Sequence, residues 1–289
     1  MEFRVLKYFL AVARTENITR AAEEINISQP ALSRQLMDLE EELGVKLLLR
    51  SRRRTTLTEA GYLLQKRAEE IAALMEKTLD ELSHFGGEIS GSIRIGCGET
   101  AGMRFVAEAV QKIRAQHPGV YCHLFSMDGD GVRERLEKGT LDFGVFVQPQ
   151  PPDNYAYIEL KHQDVWGVFM HKDSPLTKLN SISPADLSGL PLIVSRQAFV
   201  NKELKNWFGI DEKNLHIVAT YTLIYNASLL AEAGIGYLLS LDNLLNLTPD
   251  SKLTFRPLSP PCICRIFFVW KRGQIFSRAA QLLVEMLSP

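Results

Sequence analysis

The stretch "ITRAAEEINISQPALSRQLMDLEEELGVKLLLRSRRRTTLTEAG", residues 18–61, decides how this chain is read. "ITRAAEEIN" reads as a short helix with Thr19 as its N-cap and Asn26 as its stop. "SQPALSRQLMDLEEELG" follows as a second. Ser28 caps it, Pro30 falls in the first turn, where a missing N–H costs nothing, and Gly44 ends it. Leu32, Leu36, Leu39 and Leu43 recur at helical spacing as its buried stripe. Two helices joined by so tight a turn have the geometry of a helix-turn-helix. The outward face of the second carries Gln29, Ser33 and Arg34. In a major groove Gln pairs with adenine and Arg with guanine, and Pro30 and Ala31 can touch thymine methyls.

On a helix taken alone, a solvated polar face is the commoner meaning of such residues. The neighbouring "LLLRSRRRTTLT" overturns it. This is an apolar strand, an arginine-rich tip (Arg50, Arg52, Arg53, Arg54) and a β-branched return. A basic hairpin beside a recognition helix is a wing, and its guanidinium groups suit DNA phosphates.

Working outward, Phe3, Leu6, Phe9, Leu10 and Ala13 give a first helix over "FRVLKYFLAVART". Downstream, Thr58 to Leu82 contains no Pro and one interior Gly, Gly61, while Leu64, Ala68, Ile71, Met75 and Leu82 form a heptad-like stripe. A helix of that length spans about 37 Å, too long to be covered by so small an N-terminal domain, so it needs a partner helix. "GGEISG", residues 86–91, reads as a hinge.

Residues 18–61 resemble the winged helix-turn-helix of LysR-type transcriptional regulators. The resemblance rests on Ala21-Ala22, "SQPALSRQ", Leu39-Glu40, Leu43-Gly44, Arg50, Leu57-Thr58 and Ala60-Gly61. Leu48 departs from the family's usual Phe, which implies repacking under the wing. The resemblance implies double-stranded DNA as a partner, with Ser28, Gln29, Pro30, Ser33, Arg34, Arg50 and Arg52 to Arg54 at the interface. It also implies a dimer through paired linker helices, with tetramers common.

The remaining two thirds alternate short apolar runs with helical patterns: "SIRIGCG", "VYCHLFSM", "LDFGVFV", then "VWGVFMH", "PLIVS", "LHIVAT" and "GYLLS". This is α/β architecture. Two halves separate near "IELKHQDVW", and "CICRIFFVW" with the last helix "SRAAQLLVEML" returns to complete the first. "GSIRIG", "HPGV", "GTLDFGV", "HKDSPL", "DLSGLPLIV" and "AEAGIGYLLS" are similar to the LysR effector domain, itself similar to periplasmic solute-binding proteins. Ser240 stands where the family commonly has Pro, leaving the end of that strand open. The domains expected are 1–57 (winged helix-turn-helix), 58–84 (linker helix), 85–91 (hinge), 92–161 with 266–289 (first subdomain) and 162–265 (second).

"IRIGCGETAG", residues 93–102, admits two readings. Gly96, Gly98 and Gly102, with Asp128 26 residues on, loosely match a dinucleotide-binding turn. The alternative is the rim of an effector cleft, where a helix N-terminus offers free N–H groups; the LysR resemblance implies that this turn lines the cleft and that Thr100 matches a position that often contributes a hydroxyl there. The cleft is the better reading, because glycine spacing is nonspecific. Other candidates at strand ends are Ser126, Met127 and Asp128; Phe146 and Val147; Ser195, Arg196 and Gln197; and Thr220 to Thr222. As a set they suit a small polar molecule, one that can bear a carboxylate.

Composition is that of an ordinary globular protein, 46% apolar and 23% charged over 289 residues. The net charge of −1 hides an asymmetry: residues 1–57 hold 10 Lys/Arg against 8 Asp/Glu, leaving 23 against 26 for the rest. No long uncharged apolar run occurs and the charged start reads as a helix, so a cytoplasmic location with no membrane partner is expected. Cys97, Cys122, Cys262 and Cys264 lack C-x-x-C spacing and read as inert thiols. His117, His123, His162, His171 and His216 show no metal-ligand spacing, and no G-x-S-x-G, H-E-x-x-H or P-loop pattern appears. No catalytic residue, metal or cofactor is expected. The rivals are a nucleotide-dependent oxidoreductase and a redox-sensing regulator using Cys97 and Cys122.

Overall fold

Three helices open the chain, α1 (Phe3–Thr15), α2 (Ile18–Glu24) and α3 (Gln29–Leu43). A two-stranded hairpin, β1 (Leu48–Arg50) and β2 (Thr55–Leu57), and a 25-residue helix, α4 (Glu59–Ser83), follow. The computed structural model describes residues 1–51, 54–83, 88–200, 203–209 and 214–288. The chain divides into a first unit, Met1–Ser83, and a second, residues 84–289.

In the first unit Phe9, Val12, Leu32 and Leu36 are fully buried, each contributing about 1.5–3 kcal/mol. Ala21 and Ala22 of α2 pack in the same core, where their small side chains let the helices approach. α2 is capped by Asn17, whose side chain accepts from Arg20 N; Thr19 lies inside the helix, not at its cap. Asn26 takes the left-handed conformation (φ 55°) and turns the chain into α3. Ser28 caps α3 and Gly44 (φ 68°) ends it. Leu43, expected in the buried stripe, is exposed, because it sits in the last turn beyond the core.

Glu40 of α3, 4% exposed, holds the hairpin. It accepts from Leu47 N at 2.8 Å and Leu48 N at 3.1 Å and meets Lys46 Nζ at 3.0 Å. Burial alone would raise its pKa, but the two amides and Lys46 outweigh that and hold it below the usual carboxylate range. Leu48 is buried beneath the hairpin. α4 begins against Leu47: Thr58 Oγ1 donates to Lys46 O and accepts from Gly61 N, and a Cβ on Gly61 would lie 2.2 Å from Leu47 O. Of the expected stripe on α4, Leu64 packs on the unit's own core and Ala68 is buried. The exposed apolar residues are Tyr62, Leu63, Ile71, Leu74, Met75, Leu79 and Leu82.

The second unit is α/β. Its elements are β3 (Gly91–Cys97), α5 (Met103–Gln116), β4 (Val120–Ser126), α6 (Gly129–Glu137), β5 (Phe143–Gln148), β6 (Tyr155–His171), β7 (Leu192–Ser195), α7 (Arg196–Val200), α8 (Glu203–Phe208), β8 (Ile217–Tyr221), α9 (Ile224–Glu232), β9 (Tyr237–Leu241), β10 (Leu253–Pro257), β11 (Ile263–Lys271) and α10 (Arg278–Leu287). The strand order is β4-β3-β5-β11-β6-β9-β7-β8, with β10 also on β6. The segment expected to divide two halves is interior to one 17-residue strand, β6. Its first part pairs with β11, from Tyr155↔Lys271 to Val165↔Ile263. Its last part pairs with β9 and β10.

Two cores flank this crossing. One gathers Ile95, Phe143, Leu160, Ile266 and Leu283, the other Trp166, Val168, Leu192, Leu239 and Cys264. They define a first and a second lobe. β10 was not foreseen from sequence, and β9 continues through Ser240, which is buried and pairs with Gly167. Residue 84 of the expected linker and residues 85–87 of the expected hinge lie outside the described residues, and Gly91 is already in β3.

Candidate functional site

On the first unit, the N-terminal turn of α3 exposes Ser28, Gln29, Pro30, Ala31 and Arg34, while Leu32 and Leu36 face the core. Ser33 is half-buried and its hydroxyl accepts from Gln29 Nε2 at 3.0 Å. Arg34 and Arg50 have no ion-pair partner among the described residues. Arg50 ends β1 opposite Thr55, and Ser51 closes the hairpin by accepting from Arg54 N at 3.1 Å. Arg54 is paired with Glu16, whose carbonyl also accepts from Thr55 N, which ties the hairpin base to the end of α1. Arg52 and Arg53 lie outside the described residues.

In the second unit a cleft opens between the lobes, at the carboxyl ends of β3, β4, β5, β7, β8 and β9, where α/β sheets hold ligands. Met127, Asp128, Phe146, Val147, Ser195, Gln197 and Thr222 line it. Thr100, Ser126, Arg196 and Thr220 do not. Ser126 and Thr220 are exposed, and Arg196 pairs with Asp128 at 2.9 Å. Thr100 is buried: its hydroxyl donates to Asp164 Oδ2 at 2.5 Å and accepts from Gly102 N at 3.0 Å, which leaves it no free donor for a ligand. Tyr221, within the expected Thr220 to Thr222 stretch, lines it too, and so do Glu99, Arg133, Gln148, Trp166 and Ser240, which carry no local signal in the sequence.

Polar contacts cross the cleft. Asp128 is the N-cap of α6, and Gly131 N, more than Arg196, holds its carboxyl below the usual range. Gly129 N donates to Gln197 Oε1 at 2.8 Å; a Cβ on Gly129 would fall 2.1 Å from Gln197 Nε2, so a larger residue there would push the Gln197 amide aside. Glu99 accepts from Ile224 N, the first residue of α9, which has no side-chain cap of its own. Beneath these, Asp164 is fully buried at the lobe crossing, with His162 Nε2 3.2 Å away, and burial raises its pKa despite Thr100 and His162.

The two rivals fare poorly on this geometry. In the glycine turn the first amides of α5 are taken by Thr100, Glu99 adds a negative charge, and Asp128 is engaged at α6. A pyrophosphate would meet repulsion there in place of free N–H groups. Cys97 and Cys122 lie on neighbouring strands, but Cys122 pairs with Ile93, four positions from Cys97 and about 13 Å along the strand. That is too far for a disulfide. Burial raises both thiols, Cys122 to about 11, which suppresses the reactive thiolate. Among the described residues no cluster of three or more His, Cys, Asp or Glu could hold a metal, and no helix is long and apolar enough to cross a membrane.

Comparison with known proteins matches residues 3–62 to the model of bacterial regulatory helix-turn-helix proteins of the lysR family, and residues 86–289 to that of the LysR substrate binding domain. The Hca operon transcriptional activator HcaR of Escherichia coli is 29% identical over 280 residues, 95% of this chain and 93% of HcaR. The transcriptional activator IlvY of Salmonella typhimurium is 30% identical over 209 residues, 72% of this chain and 71% of IlvY. A crystal structure of full-length CbnR complexed with its target DNA shares the fold, with a TM-score of 0.77 at 22% identity, covering 99% of both chains. Helix-turn-helix, long helix and two-lobed cleft domain thus occur in the family's order, and the chain belongs to the LysR family of DNA-binding transcriptional regulators, whose C-terminal domain binds effector ligands.

Proposed function

We propose that α3 reads base edges in the major groove through Gln29, Ser33 and Arg34, with Pro30 and Ala31 against thymine methyls and Ser28 at the phosphate edge. The hairpin, through Arg50, Arg52, Arg53 and Arg54, contacts phosphates or the minor groove. The observation that carries this reading is the exposed N-terminal turn of α3, with Arg34 unpaired among the described residues and the leucine face buried. α4 pairs with the α4 of a second copy, giving a dimer or tetramer; the exposed Leu63, Leu74, Leu79 and Leu82 support it. The protein works in the cytoplasm as a regulator and not as an enzyme, in keeping with the transcriptional roles named for its relatives. It carries no cofactor.

The cleft holds a small polar effector that bears a carboxylate. Its occupancy shifts the lobes and, through the linker helices, the spacing of the winged domains on an interrupted dyad. Genome-wide mapping of bound sites tests the proposal, followed by anisotropy titration of those fragments with metabolites of the neighbouring genes. Selective binding to dyad-bearing sites, altered by one such metabolite, is the expected result. Binding that does not distinguish these fragments from random DNA refutes it.

A further inference from the structure

Two charges inside the cleft lack counter-charges. Glu99 lines it from the turn after β3, and Arg133 lines it from α6. One Glu99 oxygen accepts from Ile224 N, and among the described residues no cation pairs with the carboxylate. Arg133 lies over the Phe146 ring, 4.2 Å from its centroid, and donates to Gln148 Oε1 at 3.1 Å; among the described residues no carboxylate pairs with it. The other charge in the lining, Asp128, is neutralised by Arg196, which lies outside the lining.

Half-buried charges without partners carry an unmet desolvation cost, which a ligand of complementary charge relieves. One site of each sign is present, so the cleft is dipolar. The N-termini of α9 and α6 already hold the chain's own acceptors, Glu99 at α9 and Asp128 and Gln197 at α6, and Arg133 is the lining cation without a carboxylate among the described residues. The lining also includes apolar Trp166 and Phe146 and the hydroxyls of Ser195 and Thr222.

We infer that the cleft takes a small zwitterion of the amino-acid type, its ammonium against Glu99 and its carboxylate against Arg133. This rests on the effector reading above and narrows it.

The test uses the full-length protein and calorimetric titration with three sets of probes. These are the proteinogenic L-amino acids, the amines lacking each one's α-carboxylate, and the acids lacking each one's α-ammonium. At least one amino acid should bind about tenfold more tightly than both of its singly charged analogues, the ratio expected for one charge-assisted contact. Glu99→Gln keeps an acceptor for Ile224 N but loses the charge. It should erase the preference over the acid analogue while keeping the preference over the amine. Arg133→Gln should do the reverse. A merely structural role for either residue would weaken all three probes alike and overturns the assignment. So does an acid or amine that binds as tightly as the amino acid, or a failure of every amino acid to bind. Specific DNA binding, measured on the same samples, reports separately on the regulator reading: it persists if only the ligand class is wrong and is lacking if that reading itself fails.

Discussion

Replacing Glu40 with Ala removes the buried carboxylate that hydrogen-bonds the recognition helix to the base of the hairpin. Two buried amides, Leu47 N and Leu48 N, lose their acceptor, and a buried donor without a partner costs about 1–3 kcal/mol. The Lys46 contact adds little, because its ammonium is 76% exposed. Water entering beside Lys46 recovers part of the loss, so a net cost of about 3 kcal/mol is expected, out of the 5–15 kcal/mol typical of a folded domain. Hydrogen exchange on the full-length protein reads it locally. Protection of the amides around Leu47 and Leu48 should fall roughly a hundredfold while α5 and α10 exchange as before.

The pH dependence follows from the lowered Glu40 pKa. Its contribution is fully present above the unfolded value, about 4.3, and is lost as pH falls through the folded value. The gap between wild type and variant should therefore narrow below about pH 4. Unchanged exchange at Leu47 and Leu48 in Glu40→Ala would refute the reasoning.

Gly61→Ala should destabilise the start of α4 by about 1–3 kcal/mol in thermal melts, since the new Cβ would press on the Leu47 carbonyl; an unshifted melt contradicts the packing. Leu74→Asp with Leu79→Asp should yield monomers by light scattering, and an unaltered assembly would show that α4 is not the dimer helix. Asp164→Asn should raise the melting temperature at neutral pH. A raised folded pKa means that stability present below about pH 3.9 is lost as pH rises through the folded value, so the variant's advantage should vanish in acid. An advantage independent of pH would point to packing instead. Cys97 and Cys122 should resist iodoacetamide at pH 8 in the native protein, and rapid labelling of either would reopen a redox role.

The first unit was legible because its signals are local. Ser28, Pro30 and Gly44 mark helix ends by backbone chemistry alone, and the register of Leu32, Leu36 and Leu39 is internal to α3. Asn17 and Thr19 are both good caps; only the extended backbone at Asn17 (φ −149°) distinguishes them. β6 hid its continuity because the polar "ELKHQD" within it looks like a loop, and the pairing with β11 that makes it a strand comes from a segment about 100 residues away. The cleft was found by its strand ends, yet Thr100 was misplaced. Its hydroxyl is turned by Asp164, 64 residues on, which no local pattern reveals. Glu99 carries no local signal either, because its place in the cleft depends on α9, whose first amide, Ile224 N, lies 125 residues on.

Anisotropy titration of Arg34→Ala and Arg50→Ala, each against a mapped genomic site and its scrambled version over a salt series, tests the central claim most directly. If α3 reads bases and the hairpin holds the backbone, Arg34→Ala should lose about 1–3 kcal/mol on the mapped site and little on the scrambled one. Arg50→Ala should weaken both and reduce the salt slope by about 1. Equal losses on both sequences for Arg34→Ala, in a folded variant, would contradict the account.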